Sequence, residues 1–276
     1  MGSNQSRILG VPDVLRNHVE CFILNELNSA EGMAIEVFPN AIPGIVFHHA
    51  AGHPAIENIL MRSGRKSFPP TSFLHGAGSE SSIMNFTQGS YTVIQVILKP
   101  HALRTLFGIN ALALKDCTAE LNEFSNGDLN EQLLNAQTGR EQVDLLMSFL
   151  LTKFKQARTR DELVEASLGL IHASAGRITV KSLIQSLHIS ERQFERRFCQ
   201  TAGISPVAYI RVKRFNEAMR LIKSGEYNRL TDVAYALDFH DQSHFIRDVK
   251  AFTGVTPKSL LQKVDEVYHN QAGYSY

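Results

Sequence analysis

The sequence predicts an α+β N-terminal domain, a small β-rich unit plus helices, followed by an all-α domain of two helix-turn-helix units joined by a long helix. Three observations predict it. Short β-prone runs alternate with Pro, Gly and Ser clusters between Met33 and Lys99, the character turns helical after Pro100, and a pattern in the last hundred residues occurs twice, about fifty positions apart. The implied boundaries are a domain over 1–157, a connection over 158–177, the helical domain over 178–262 and a tail over 263–276.

In the first domain the β-prone runs are AIEVF, GIVFHH, NILMR and YTVIQVILK, separated by PNAIPG, SFPPTS and HGAGSESS. A helix is expected over His101 to Phe107 and a longer one over Asn130 to Gln156. There Val143, Leu146, Met147, Leu150, Leu151 and Phe154 form one apolar stripe. The stripe fits packing on the domain's own sheet or a homodimer interface. Between Arg158 and Arg177, Asp161-Glu162 opens a short helix and Ala175-Gly176 stands near its end, as expected of a connection between domains.

The repeated pattern comes next. The first copy, SLIQSLHISERQFERRFCQTAGISP, runs from Ser182 to Pro206, and the second, DVAYALDFHDQSHFIRDVKAFTGVTP, from Asp232 to Pro257. Leu183 and Leu187 lie four apart, as do Phe194 and Phe198, so each pair projects from one helical face. Only His188, Ile189 and Ser190 separate the two faces, which forces two helices to meet at a steep angle. Ser190 with Gln193 has capping-box spacing, Gly203 suits a left-handed helix stop, and Ser205-Pro206 supplies a cap and a first-turn proline. Gly254 and Thr256-Pro257 repeat that punctuation. Each copy is a helix-turn-helix.

Exposed residues decide what such units do. Removing the buried set from the second helix of the first copy leaves Glu191, Arg192, Gln193, Glu195, Arg196, Arg197 and Gln200 facing outward. Arg192 and Arg196 share one face, where guanidinium groups can meet phosphates or guanine edges. The second copy presents Asp241, Gln242, Ser243, His244, Ile246, Arg247 and Lys250.

From about Ile178 to Leu261 the chain resembles the DNA-binding module of the AraC/XylS family of bacterial transcription regulators. The resemblance rests on S-x-R-x-F-x-R-x-F at Ser190 to Phe198, G-I-S-P-x-x-Y-I at Gly203 to Ile210 and R-x-x-x-A-x-x-L-I at Arg214 to Ile222. In the second copy it rests on D-V-A-Y-A-L, D-Q-S-H-F at Asp241 to Phe245 and F-T-G-V-T-P. It implies that one long helix, here about Pro206 to Lys223, joins the two units and sets the recognition helices in successive major grooves of double-stranded DNA, with centres about 34 Å apart. Carried over residue by residue, base reading falls to Arg192, Glu195 and Arg196 in the first unit and to Gln242, Ser243 and Arg247 in the second. Arg197, Lys213, Arg214 and Lys250 become phosphate contacts. Two positions depart from the family pattern: Asp238 replaces the usual turn glycine, and Ile184 a usual alanine. The stretch K-P-H-A-L-R-T-L-F-G from Lys99 to Gly108 weakly resembles the N-terminal sensor domains of some such regulators. A small-molecule effector and RNA polymerase are the further partners this implies.

Charge agrees. Residues 177–276 carry 15 Lys and Arg against 10 Asp and Glu, whereas residues 1–176 carry 13 against 17, so a chain of net charge +1 hides a basic half and an acidic half. No apolar run approaches the roughly 20 residues that span a bilayer, and no secretory segment opens the chain, so a cytoplasmic, membrane-free protein is expected. Cys21, Cys117 and Cys199 lack metal spacing and read as reduced thiols, with Cys199 a packing residue rather than an oxidant sensor. No cofactor and no metal are expected. His48, His49, His53, His75 and His101 include a strand-adjacent pair that points to opposite faces and cannot share one ion. The rivals are a metal-dependent enzyme or DNA-modifying protein that uses the helical module for targeting, and a nonspecific architectural binder. A methyl-accepting repair protein would need a zinc-bound cysteine cluster that three cysteines do not supply.

Overall fold

The structure, a computed structural model, describes residues 4–259 except 126, 158, 159, 226, 228 and 240. The expected tail over 263–276 lies outside the described residues. The chain forms a two-sheet β unit with attached helices, then a helical unit, as the sequence predicts.

The β unit begins earlier than the β-prone runs suggested. Its strands are β1 (Gln5–Leu9), β2 (Val19–Ser29), β3 (Met33–Val37), β4 (Gly44–His49), β5 (Ile56–Met61), β6 (Lys66–Ser67), β7 (Ser72–His75), β8 (Ser82–Phe86), β9 (Gly89–Leu98) and, beyond α1 (Ala102–Phe107), β10 (Thr118–Glu120). One antiparallel sheet has the order β1-β2-β9-β4-β7-β10 and the other β3-β8-β5-β6. Apolar residues on both faces of the larger sheet explain the arrangement. Val46, Phe73, Tyr91 and Val93 meet Ile56, Ile59 and Phe86 of the smaller sheet, while Phe22, Leu24, Ile45, Ile94 and Val96 face helices.

Those helices are α1, α2 (Leu129–Asn135) and α3 (Gly139–Gln156). The expected single helix over Asn130 to Gln156 is thus two. Thr138 caps the second, its hydroxyl accepting from the Glu141 amide at 3.2 Å, and Ala136 leaves the first in an extended conformation. Val143, Leu146 and Leu150 of the stripe are fully buried against the larger sheet, with Met147, Leu151 and Phe154 partly buried around them. Half of the stripe is therefore core within one chain.

The helical unit comprises α4 (Glu162–Ala173), α5 (Val180–Ser186), α6 (Glu191–Ala202), α7 (Pro206–Ser224), α8 (Leu230–Ala236) and α9 (Gln242–Thr253). The segment expected as a connection contributes α4, capped by Asp161 through the Val164 amide at 3.1 Å. Its Val164, Leu168 and Ile171 enter the same core as Leu183, Phe194, Phe198, Phe215 and Phe245. Phe38, Ala41 and Ala77 of the β unit enter that core too, so the two units are docked rather than loosely tethered. Among the described residues no helix is long and apolar enough to cross a membrane.

Candidate nucleic-acid interface

The two units reach the same geometry by the same means. In the first, the amides of Leu187 and Ile189 donate to the carbonyls of Leu183 and Ile184 at 2.9 and 3.2 Å, closing α5 and turning the chain. Phe194 and Phe198 of α6 are fully buried, their rings edge to face at 5.5 Å, and Phe198 meets Tyr209 of α7 at 5.6 Å. In the second, Phe239 and Phe245 pack edge to face at 5.2 Å. Asp241 caps α9, its carboxylate accepting from the His244 amide at 2.6 Å. Ser190 stands at the corresponding N-cap of α6 but makes no side-chain cap; its carbonyl accepts from Phe194 at 2.9 Å. Gly203 and Gly254 close the two helices in the left-handed region, and Pro206 opens α7 behind Ser205, whose hydroxyl accepts from Ala208. Pro257 begins the next helical turn, at the margin of the described residues.

Asp238 sits in the left-handed region with φ 53°. So does His188, its counterpart in the first turn, with φ 49°, at a position that carries no turn signal in the sequence. Each costs a side chain on the order of 1 kcal/mol relative to glycine. Replacing both, H188G with D238G, should raise the thermal midpoint by a few degrees; an unchanged or lower midpoint would show that the turns carry no strain.

With the apolar faces buried, Arg192, Glu195 and Arg196 of α6 and Gln242, Ser243 and Arg247 of α9 are all exposed. The phosphate candidates divide differently. Lys250 is exposed, but three others are engaged within the chain. Arg197 donates through Nε and Nη2 to both carboxylate oxygens of Asp161, at 2.9 and 2.6 Å. Burial alone would raise the Asp161 carboxyl, but Arg197 and the Val164 amide hold it below its usual value. Arg214 donates to the Gly176 carbonyl at 3.0 and 2.8 Å and lies 5.3 Å over the Phe239 ring. Only glycine fits at 176, because a Cβ there would lie 2.7 Å from the Arg214 amide nitrogen. Lys213 is pushed below its ordinary pKa by burial, against the opposing charges of Glu217 and Glu20. Arg197 and Arg214 tie α6 and α7 to the segment that precedes the first helix-turn-helix, at Asp161 and Gly176.

Sequence reasoning missed a further pair. Arg211 of α7 donates through Nη2 to Asp248 of α9 at 2.7 Å, and its guanidinium lies over Phe252. Asp248 is buried, so this contact orients the second reading helix on the joining helix. Cys199 lies on the inner side of α6, where burial and Glu195 push its thiol up and disfavour the reactive thiolate. The histidines are dispersed: His48 accepts from the Ala55 and Ile56 amides, His49 from Gln142, and His101 pairs with His18. Among the described residues no cluster of three or more His, Cys, Asp or Glu is gathered for a metal.

Residues 183–263 match a family model described as a helix-turn-helix domain, and residues 12–120 match one described as a domain of unknown function (DUF6597). The uncharacterized HTH-type transcriptional regulator YidL of Escherichia coli (strain K12) is 29% identical over 104 residues, which cover 37% of this chain and 35% of that protein. ToxT from Vibrio cholerae O395 is similar with a TM-score of 0.49 and 13% identity, over 89% of this chain and 99% of that one. The AraC-like transcriptional activator CuxR gives a TM-score of 0.21 and 13% identity, over 79% and 96%.

Two docked units, the helix between them and the matched sequence together define the C-terminal third as a tandem helix-turn-helix domain, a DNA-binding class. Its motifs resemble those of the AraC/XylS type.

Proposed function

We propose that the chain is a sequence-specific transcription regulator without catalytic activity, which reads two successive major grooves of double-stranded DNA through α6 and α9. The observation that carries this reading is the common exposure of Arg192, Glu195, Arg196, Gln242, Ser243 and Arg247 on two helices whose opposite faces share one core. Arg192 and Arg196 supply bidentate donors suited to guanine edges, and Gln242 an amide suited to adenine. Lys250 is assigned to phosphate. The N-terminal domain senses a small-molecule effector or partner and shifts the population competent to bind DNA. Bound protein then aids or blocks RNA polymerase.

The test is a titration of duplex enriched from a random pool with wild type and Arg196→Ala. The variant should lose about 1–3 kcal/mol, or roughly 5- to 150-fold, with discrimination relaxed at one base position. Lys250→Ala should instead weaken all sequences alike and reduce the salt slope by about 1. Equal binding by wild type and Arg196→Ala, without sequence preference in either, would refute the assignment.

A further inference from the structure

The N-terminal domain holds each reading helix by its C-terminal end, through a different element. The turn Ala111–Leu114, just after α1, lies against the end of α6: a Cβ on Gly203 would stand 3.0 Å from the Ala111 carbonyl oxygen. Arg104 of α1 donates to the Gln200 side chain at 3.5 Å. At α9, Arg62, in the turn after β5, donates through Nη1 to the carbonyls of Lys250 and Ala251 at 3.2 and 3.0 Å. A cation on the last carbonyls of a helix complements the helix dipole. The outward residues at the starts of α6 and α9 remain uncovered.

A single pentapeptide, Gly76–Glu80, links the two grips. Gly76 lies so close to the first that a Cβ would fall 2.2 Å from the Leu114 carbonyl oxygen, and Ala77 is buried in the helical core. Ser79 donates through its amide and hydroxyl to the two carboxylate oxygens of Asp116, two residues beyond Leu114, at 2.8 and 2.7 Å. The next residue, Glu80, accepts from the Ser63 amide and hydroxyl at 2.8 and 2.9 Å, and Ser63 adjoins Arg62. Arg65 of that same turn reaches the Cys117 sulfur at 3.4 Å, a second link. Adjacent residues are about 3.8 Å apart along the chain, so the Ser79 and Glu80 contacts cannot slide independently.

We propose that the Ser79-Glu80 brace is a positioning element that fixes the separation of α6 and α9 and thereby sets the spacing of the two DNA half-sites that the chain accepts. It rests on the two-groove reading. The joining helix fixes one side of each reading helix, through Tyr209 and the Arg211–Asp248 pair; the brace fixes their far ends. A ligand or partner that moved the smaller sheet relative to α1 would alter half-site spacing without touching either reading face.

The experiment uses the full chain and duplex enriched by wild type from a random pool. One base pair is inserted between the two half-sites, and the affinity ratio of original to lengthened duplex is measured for wild type and for the Ser79→Ala, Glu80→Ala double variant. The expected spacing penalty is at least about fivefold smaller in the double variant, the low end of coupling between distant sites. If that variant does not fold, Arg62→Ala tests the same brace at α9, and Arg62→Lys, retaining a cation there, should recover part of the penalty. Equal spacing penalties in wild type and folded variants overturn the brace. A wild-type chain that enriches no sequence overturns the DNA reading itself.

Discussion

Phe215→Ala should cost about 3–5 kcal/mol of folding stability, the usual range for truncating a buried phenylalanine. Phe215 is 1% exposed and lies on the joining helix where three parts of the molecule meet. Its ring is 5.0 Å from that of Phe252 on α9 and 6.4 Å from that of Phe38 in the β unit. Truncation opens a cavity bounded by Phe252 of the second helix-turn-helix on one side and Phe38 of the N-terminal domain on the other. A domain is stable by only about 5–15 kcal/mol, so the loss is a large fraction of the total. Urea unfolding followed by circular dichroism measures it. The exposed Val207→Ala on the same helix should stay within about 0.5 kcal/mol. If Phe215→Ala costs less than about 1 kcal/mol, the three elements are not packed on this ring as described.

What the sequence disclosed follows from the length scale of each interaction. Phe194 with Phe198, and Leu183 with Leu187, announce their helices because residues four apart share a face. The start of α7 was legible in Ser205-Pro206, and its extent in the family resemblance. Removing the buried set of α6 leaves seven outward residues, and it is the family resemblance that narrows base reading to Arg192, Glu195 and Arg196. Pairings between distant residues leave no such periodic trace. Arg211 and Asp248 are 37 positions apart, and Arg62 is 188 positions from the carbonyl of Lys250 that it caps. Arg197 and Arg214 read as surface cations because nothing local to them predicts Asp161 or Gly176 as a partner.

Two misreadings have local causes. β2 was overlooked because VECFILNELNS mixes buried and polar residues without clean alternation, and a bulge between Val19 and Cys21 shifts its register. The helix predicted over Asn130 to Gln156 was read through its break because Ala136 and Gln137 are ordinary helix residues, whereas Thr138, a favourable cap, restarts the chain. His188 shows the limit of comparing a sequence with a pattern. Asp238 drew notice as a replaced glycine, yet both turns require the left-handed conformation.

Acidification should destabilise the fold between about pH 6.5 and pH 4, and two buried histidines contribute to the loss. His48 is fully buried, and its Nδ1 accepts from the amides of Ala55 and Ile56, both at 3.0 Å, a role that only the neutral ring can fill. Burial lowers its pKa to about 4. His101 is also lowered to about 4, first by burial and then by the charges of His18 and Lys99. It shares a 3.2 Å ring-nitrogen hydrogen bond with His18, which needs one neutral acceptor. Both folded values lie below the unfolded value of about 6.5. The unfolded chain therefore binds more protons within that window, and stability, complete above it, falls as the pH drops toward 4. At about pH 5 each histidine should cost about 2 kcal/mol by this linkage, or roughly 4 kcal/mol for the pair. The check is the urea midpoint at about pH 7.5 and pH 5 in wild type and in the His48→Gln, His101→Gln double variant. Glutamine retains an acceptor but does not titrate, so the variant should be weaker at neutral pH yet decline less steeply across the window, the remainder coming from His18, His49, His75 and His172, which burial also lowers. An equally steep decline in the variant would move the acid sensitivity to other groups, and an unchanged wild-type midpoint would mean that water reaches both rings in the folded protein.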